Sequence, residues 1–174
     1  IGVSQVLNKR GGSFSSEDEA RLVAFTSQIS IGIENAALFD NVQNLMNYNI
    51  SMLSSMSNGV ITINKENEIE TCNDSGLRIM KLEESQEILT QKTVDFFKDD
   101  NKWILGKLEN VGEGEYIPDA ELTFNDEKIS TNVSIVPLKS TENESLGTMI
   151  MLEDISNEKR MKSTMSRYMD ADLA

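Results

Sequence analysis

Between residues 16 and 57 apolar side chains recur at alternating three- and four-residue steps: Leu22, Phe25, Ile29, then Ala36 and Phe39, then Met46, Ile50 and Leu53. This spacing predicts a helix with a heptad seam, interrupted where Gly32 and Gln43 occupy seam positions. Ser15 and Ser16 offer an N-cap. Ser16-x-x-Glu19 reads as a capping box, with Glu17, Asp18 and Glu19 facing the positive end of the helix dipole. A second stripe, Leu38, Val42, Leu45, Met52 and Met56, widens the apolar face. A helix of about 40 residues reaches about 60 Å, more than a small domain needs for its own core. It is read as a continuous helix that joins two domains and pairs with its twin in a homodimer. Two helices with a break near Asn47-Tyr48-Asn49 remain the alternative.

From residue 58 the period changes to that of strands. Gly59–Ile63 and Glu68–Cys72 flank the polar turn Lys65-Glu66-Asn67 and predict a hairpin. Asn73 to Leu82 predicts a short helix capped by Asn73 or Asp74, and Lys102 to Val111 another. Between them, Glu83 to Asp100 is polar apart from Phe96-Phe97. Three strands follow, Tyr116–Phe124, Lys128–Pro137 and Ser145–Glu153, with Pro118 and Pro137 placed at strand ends, where a missing N–H is tolerated. The predicted fold class is α+β: a five-stranded antiparallel sheet with short helices, flanked by a long N-terminal helix and a C-terminal helix. The C-terminal helix carries Ile155, Met161, Met165, Tyr168 and Leu173 near one face. Ile1, Val3, Val6 and Leu7 read as one strand that stops at Gly11-Gly12. A lone strand implies a domain whose body lies upstream, so the chain reads as a segment of a longer protein. The expected divisions are 1–15, 16–57, 58–154 and 155–174.

Composition narrows the chemistry. The 174 residues include no histidine, which excludes Ser-His-Asp and Cys-His nucleophiles and a phospho-accepting histidine. A single Cys72 forbids an internal disulfide, and a reducing, cytoplasmic setting fits. The 29 acidic residues outnumber the 16 basic ones, and a net charge of −13 repels nucleic acid and anionic lipid. No uninterrupted apolar run approaches a membrane span of roughly 20 residues, so no membrane partner is expected. The acidic residues are scattered, with no constellation suggesting a metal.

Three stretches carry family resemblances. Asn8-Lys9, Phe14, Asp18 and Glu19 reproduce the spaced signature of cyclic-nucleotide-type GAF domains, and Ile33-Glu34-Asn35-Ala36 with Leu38-Phe39 is similar to their closing helix. The middle of the chain resembles a PAS domain in Met56–Ile61, in Cys72-Asn73 opening a helix, and in the exit motif Glu153-Asp154-Ile155 followed by Ser156. Arg167–Ala174 resembles the segment before the catalytic domain of cyanobacterial-type class III adenylate cyclases.

The resemblance implies a regulatory segment in cis between an upstream GAF domain and a downstream output domain. The parent protein would make cyclic AMP from ATP. The fragment itself is no enzyme, because the paired metal-binding aspartates of a cyclase are not in it. A ligand-binding PAS sensor of a histidine kinase or a diguanylate cyclase is the alternative. The GAF nucleotide pocket would lie mostly upstream, and Lys9 with Asp18 would form a structural pair remote from ligand. As an ordinary solvated pair it is worth about 1 kcal/mol or less. No cofactor is expected. Haem lacks a histidine ligand, and Cys72 ends a strand where a LOV-type flavin site needs a reactive thiol on a helix. Phe96, Phe97 and Trp103 read as core residues ahead of pocket lining.

Overall fold

The computed structural model describes residues 2–83 and 88–171, the last five by their backbone alone. It divides into two compact units, residues 1–51 and 52–174. The first unit holds an extended N-terminal stretch and most of α1 (Ser16–Ser55), which runs through Asn47-Tyr48-Asn49 without a break. The expected strand does not form among residues 2–9, which lack a neighbour to complete their hydrogen bonds. Ile1 lies outside the described residues.

The capping box of α1 sits one residue earlier than the sequence suggests. The Ser15 N–H donates to Asp18 Oδ2 at 2.8 Å, and the Asp18 N–H donates back to Ser15 Oγ at 3.3 Å. Ser15 is the last residue before the helix, so its side chain, not that of Ser16, reaches the third helical N–H. No α1 residue is buried. By length and composition the helix is apolar enough to cross a membrane, although no uninterrupted apolar run within it is that long. Ser, Thr and Gln break each run, yet the surrounding Leu, Ile, Val and Phe dominate the average.

The second unit is built on one antiparallel sheet. Its strands are β1 (Gly59–Ile63), β2 (Ile69–Cys72), β3 (Glu115–Phe124), β4 (Glu127–Lys139) and β5 (Ser145–Asp154), in the order β2-β1-β5-β4-β3. Helices α2 (Asp74–Met80), α3 (Thr93–Phe96) and α4 (Trp103–Leu108) and a 3-10 turn (Asp99–Asn101) fill the crossover between β2 and β3. α5 (Ser156–Ala171) follows β5. Leu173, placed on its apolar face by periodicity, lies outside the described residues.

Alternation along β4 aims Ile129, Thr131, Val133 and Ile135 inward, and all four are buried with Ile61, Ile150 and Leu152 from β1 and β5. Phe97, Ile104 and Met80 close the core from the crossover side. Phe96 stands edge-on to Phe97 at 4.9 Å, so the aromatic pair and the partly buried Trp103 are core residues. Asn125 and Asp126 both adopt positive φ, the two-residue turn that matches the twist of the β3–β4 hairpin.

The prolines depart from expectation, because both lie inside strands. Pro118 sits on edge strand β3 at a bulge between Ile117 and Ala120, with Asp119 at φ 58°. Pro137 lies where β4 has run past its last β3 partner, the Glu115–Ile135 pair. In both places no ladder bond needs the missing N–H.

Two glycines bound what the sheet tolerates. Gly147 in β5 has φ 141°, and a Cβ there would stand 2.1 Å from the Ile63 carbonyl oxygen. Gly147→Ala is expected to lower unfolding free energy by at least about 2 kcal/mol in urea titration. Gly106 in α4 has open space around it. Gly106→Ala is expected to gain about 0.5–1 kcal/mol in the same assay.

Candidate functional site

The sheet is entered from α1 and left through α5, and the polar side chains at these two points form the candidate site. At the entry, the last turn of α1 leaves carbonyls without helical donors. Asn73, the N-cap of α2, is only 7% exposed and supplies what is missing. Its Nδ2 donates to the Leu53 carbonyl at 2.8 Å and to the Asn58 carbonyl at 3.0 Å. Its Oδ1 accepts from the Val60 N–H and the Gly76 N–H, both at 2.8 Å. The amide thereby uses all four of its hydrogen-bonding sites. Beside it, Ser75 Oγ donates to the Met56 carbonyl and accepts from Arg78 at 2.7 Å. Gly59 and Gly76 make the approach possible: a Cβ on Gly59 would lie 2.8 Å from Gly76 Cα.

At the exit, the three residues of the motif Glu153-Asp154-Ile155 have separate partners. Glu153 accepts from Asn132 Nδ2 at 2.8 Å, and Asn132 Oδ1 accepts from the Asp119 N–H at 3.0 Å. Asp154 Oδ1 accepts from the Ser156 N–H at 2.9 Å and so caps α5. The Ile155 N–H donates to the Ser130 carbonyl at 3.0 Å. Lys159 then pairs with Asp119 and donates to Ser130 Oγ at 3.3 Å. Asp119, Ser130, Asn132 and Lys159 were not singled out from sequence. The pointer to them was Pro118-Asp119 inside a strand pattern, a bulge signal that turns the next side chain. Entry and exit meet in the sheet, where Gly59 pairs with Leu152 and Val60 with Met151.

In the first unit the GAF-like residues form a small cluster of their own. Asn8 has φ 59°, Lys9 pairs with Asp18, and the Lys9 ammonium lies 6.0 Å from the centre of the Phe14 ring, within cation–π reach. Lys9 foremost, and then the Ser15 bonds, hold the Asp18 carboxyl well below the usual carboxylate range. Glu19 takes part only through its backbone, whose N–H donates to the Ser15 carbonyl. Along the seam, Phe25, Ile29, Phe39, Met46 and Ile50 are exposed in the single chain, as is Ala36, while Leu22 and Leu53 are half-buried.

Little here supports covalent or metal chemistry. Burial foremost, and then the Asp74 charge, push the Cys72 thiol up to about 12. Among the described residues no three His, Cys, Asp or Glu side chains converge as a metal site would need, and no buried side-chain polar atom lacks a partner.

Asn73→Ala would strand the buried Val60 and Gly76 N–H groups, at about 1–3 kcal/mol for each group left unpaired. Urea unfolding should show a loss of about 2–6 kcal/mol, and hydrogen exchange at those two amides should accelerate before that at Ile135. Cys72, with its folded pKa raised from 9.0 to about 12, holds about a thousandfold less thiolate than when unfolded. Its reaction with an aromatic disulfide reagent at pH 8 should be slower in the folded protein by at least about tenfold, the greater nucleophilicity of a more basic thiolate offsetting part of the loss.

A family model described as PAS domain matches residues 57–157, which span both the entry and the exit. No curated protein matches the chain. Among solved structures, the PAS domain of BvgS from Bordetella pertussis has a TM-score of 0.54 at 13% identity, covering 74% of this chain and 98% of that one. The Escherichia coli DhaR(N)–DhaL complex has a TM-score of 0.56 at 15% identity, covering 80% of this chain and 46% of that one. The PAS domain of the fruit-fly ELK potassium channel has a TM-score of 0.51 at 13% identity, covering 64% of this chain and 97% of that one. At these identities the likeness is one of fold. The match of sheet, crossover helices and family model across residues 57–157 makes the chain a member of the PAS domain family.

Proposed function

We propose that this PAS domain, regulatory and non-catalytic in itself, is the relay and dimerisation module between an upstream GAF domain and a downstream adenylate cyclase domain in a cytoplasmic protein. The observation that carries the reading is the pair of anchored helices. The Leu53 carbonyl of α1 is bound by Asn73, Asn73 also holds β1, β1 pairs with β5, and β5 runs into the capped start of α5. A displacement of α1 thus reaches α5 through bonded groups of one sheet. The output assignment rests on the resemblance of Arg167–Ala174, whose side chains lie outside the described residues.

The exposed apolar seam of α1 supports a twin helix as its cover. A bilayer suits it less, because the Glu34 carboxylate falls inside the apolar stretch, where a charge is costly among lipid tails. A net charge of −13 disfavours close approach of two copies in general, so contact would fall where carboxylates are sparse, as along the seam. No resident cofactor enters this reading.

The second reading, a ligand-binding sensor, has one observation in its favour. A pocket of about 610 Å³ is lined by Leu82, Ile88, Phe96 and Phe124 on one hand and by Asp95, Asp99, Asp100, Asp126 and Lys98 on the other. Native mass spectrometry and an absorption spectrum of the purified protein separate the two, since a retained ligand favours the sensor.

The relay is tested at the polar break in the seam. Gln43→Leu adds apolar surface from both helices of a dimer, which should tighten dimerisation about tenfold or more in sedimentation equilibrium. An unchanged association constant sinks the paired-helix reading.

A further inference from the structure

A cleft opens beside the first turn of α5. It measures about 450 Å³ and lies between α2, the start of β4 and α5, with Ser57 from the entry segment on its wall. Four cationic side chains line it: Arg78, Lys81, Lys128 and Arg160. Of its two carboxylates, Glu127 is paired with Lys81 at 3.6 Å, while Asp154 accepts the Ser156 N–H through Oδ1 and keeps its charge, leaving the lining with four cations against two anions. Lys128 is paired with Glu121 at 2.5 Å.

The two guanidinium groups differ from these. Among the described residues, Arg78 makes one side-chain bond, to the neutral Ser75 hydroxyl, and the Arg160 side chain has no hydrogen-bond or ion-pair partner. In a chain with 29 acidic and 16 basic residues, a cation meets a carboxylate more readily than a carboxylate meets a cation. Two arginines left without one on the walls of a single cleft therefore reverse the local sign of charge. Guanidinium binds oxyanions through paired, parallel N–H groups, and two such groups outmatch a surface lysine held as a point charge.

We infer that this cleft binds a small oxyanion, a phosphate- or carboxylate-bearing metabolite, held between Arg78 and Arg160. Such a ligand ties α5 to α2. Through Ser75, which binds the Met56 carbonyl, it also reaches the segment that follows α1. It acts as an input at the exit helix, separate from any signal arriving along α1, and the binding claim stands whether or not the relay reading holds.

The test is an amide NMR titration of the whole chain with pyrophosphate and with citrate, each at ionic strength matched by sodium chloride. Saturable shifts at Ser156, Asn157 and Arg160 are expected. Arg160→Ala should weaken binding about tenfold, the equivalent of one charge-assisted contact. Arg78→Lys, which keeps the charge and loses the fork, should weaken it less. Saturation by pyrophosphate alone assigns a phosphate ligand, and by citrate alone a carboxylate. Shifts no larger than those from chloride overturn the proposal, as do affinities unchanged in both variants. A spectrum of Arg160→Ala without ligand that overlays the wild type elsewhere shows that the fold is intact.

Discussion

The side-chain amide of Asn73 is the constraint on which the second unit depends. One buried group with two donors and two acceptors stops α1, starts β1 and caps α2, and each of those acts would otherwise leave a backbone group unpaired. No other side chain fits the role. Aspartate offers acceptors only, and serine is too short to serve four partners at once. The neighbours are constrained in turn. A methyl group on Gly59 would stand 2.8 Å from Gly76 Cα, and one on Gly76 would stand 2.8 Å from the sulfur of Cys72, which packs there as a neutral thiol.

The sheet was legible in the sequence because its strands are rich in β-branched residues, with clean alternation along β4, and its turns carry Asn and Asp. The hairpin at Asn125-Asp126 and the cap at Asn73 are both visible as residue types. What was not legible at Asn73 is the other three bonds. Their partners are the backbone groups of Leu53, Asn58 and Val60, 13 to 20 residues away, and a carbonyl or an amide N–H carries no sequence signature. The same holds at the exit. Glu153-Asp154-Ile155 stood out as a motif, but Asp119 faces Lys159 only because a bulge at Pro118 turns it, and bulges depend on the register of two strands. The capping box slipped by one residue because Ser15 and Ser16 are equivalent by type, and only the geometry decides which is outside the helix.

α1 presents the opposite case, since its pattern was read directly but its surroundings were not. A helix with no buried residue in 40 draws little stability from the single chain, because packing, not propensity, holds most helices. Its exposed Phe25, Phe39 and Met46 amount to an interface without a visible partner. Length and apolarity alone admit a bilayer as well as a protein cover. The distribution of polar groups separates these, because the Glu34 carboxylate falls inside the apolar stretch but off the seam, tolerable beside a twin helix and costly among lipid tails.

The two ends of the relay are unequal in strength, and the inequality sets the direction in which it can work. Asn73 binds α1 from a buried position, where breaking its bonds costs about 1–3 kcal/mol for each group left unpaired. Lys159 and Asp119, with side chains 45% and 59% exposed, form a pair worth about 0–1 kcal/mol. Movement of α1 should therefore carry the sheet with it before the entry gives way, whereas α5 can change its seat on β3 and β4 at small cost. A weakly seated exit helix is also the element that a modest ligand contact can bias. An oxyanion held between Arg78 and Arg160 need supply only a free energy comparable to the pair it reinforces, and the surface cleft at that seat is where such a contact has leverage.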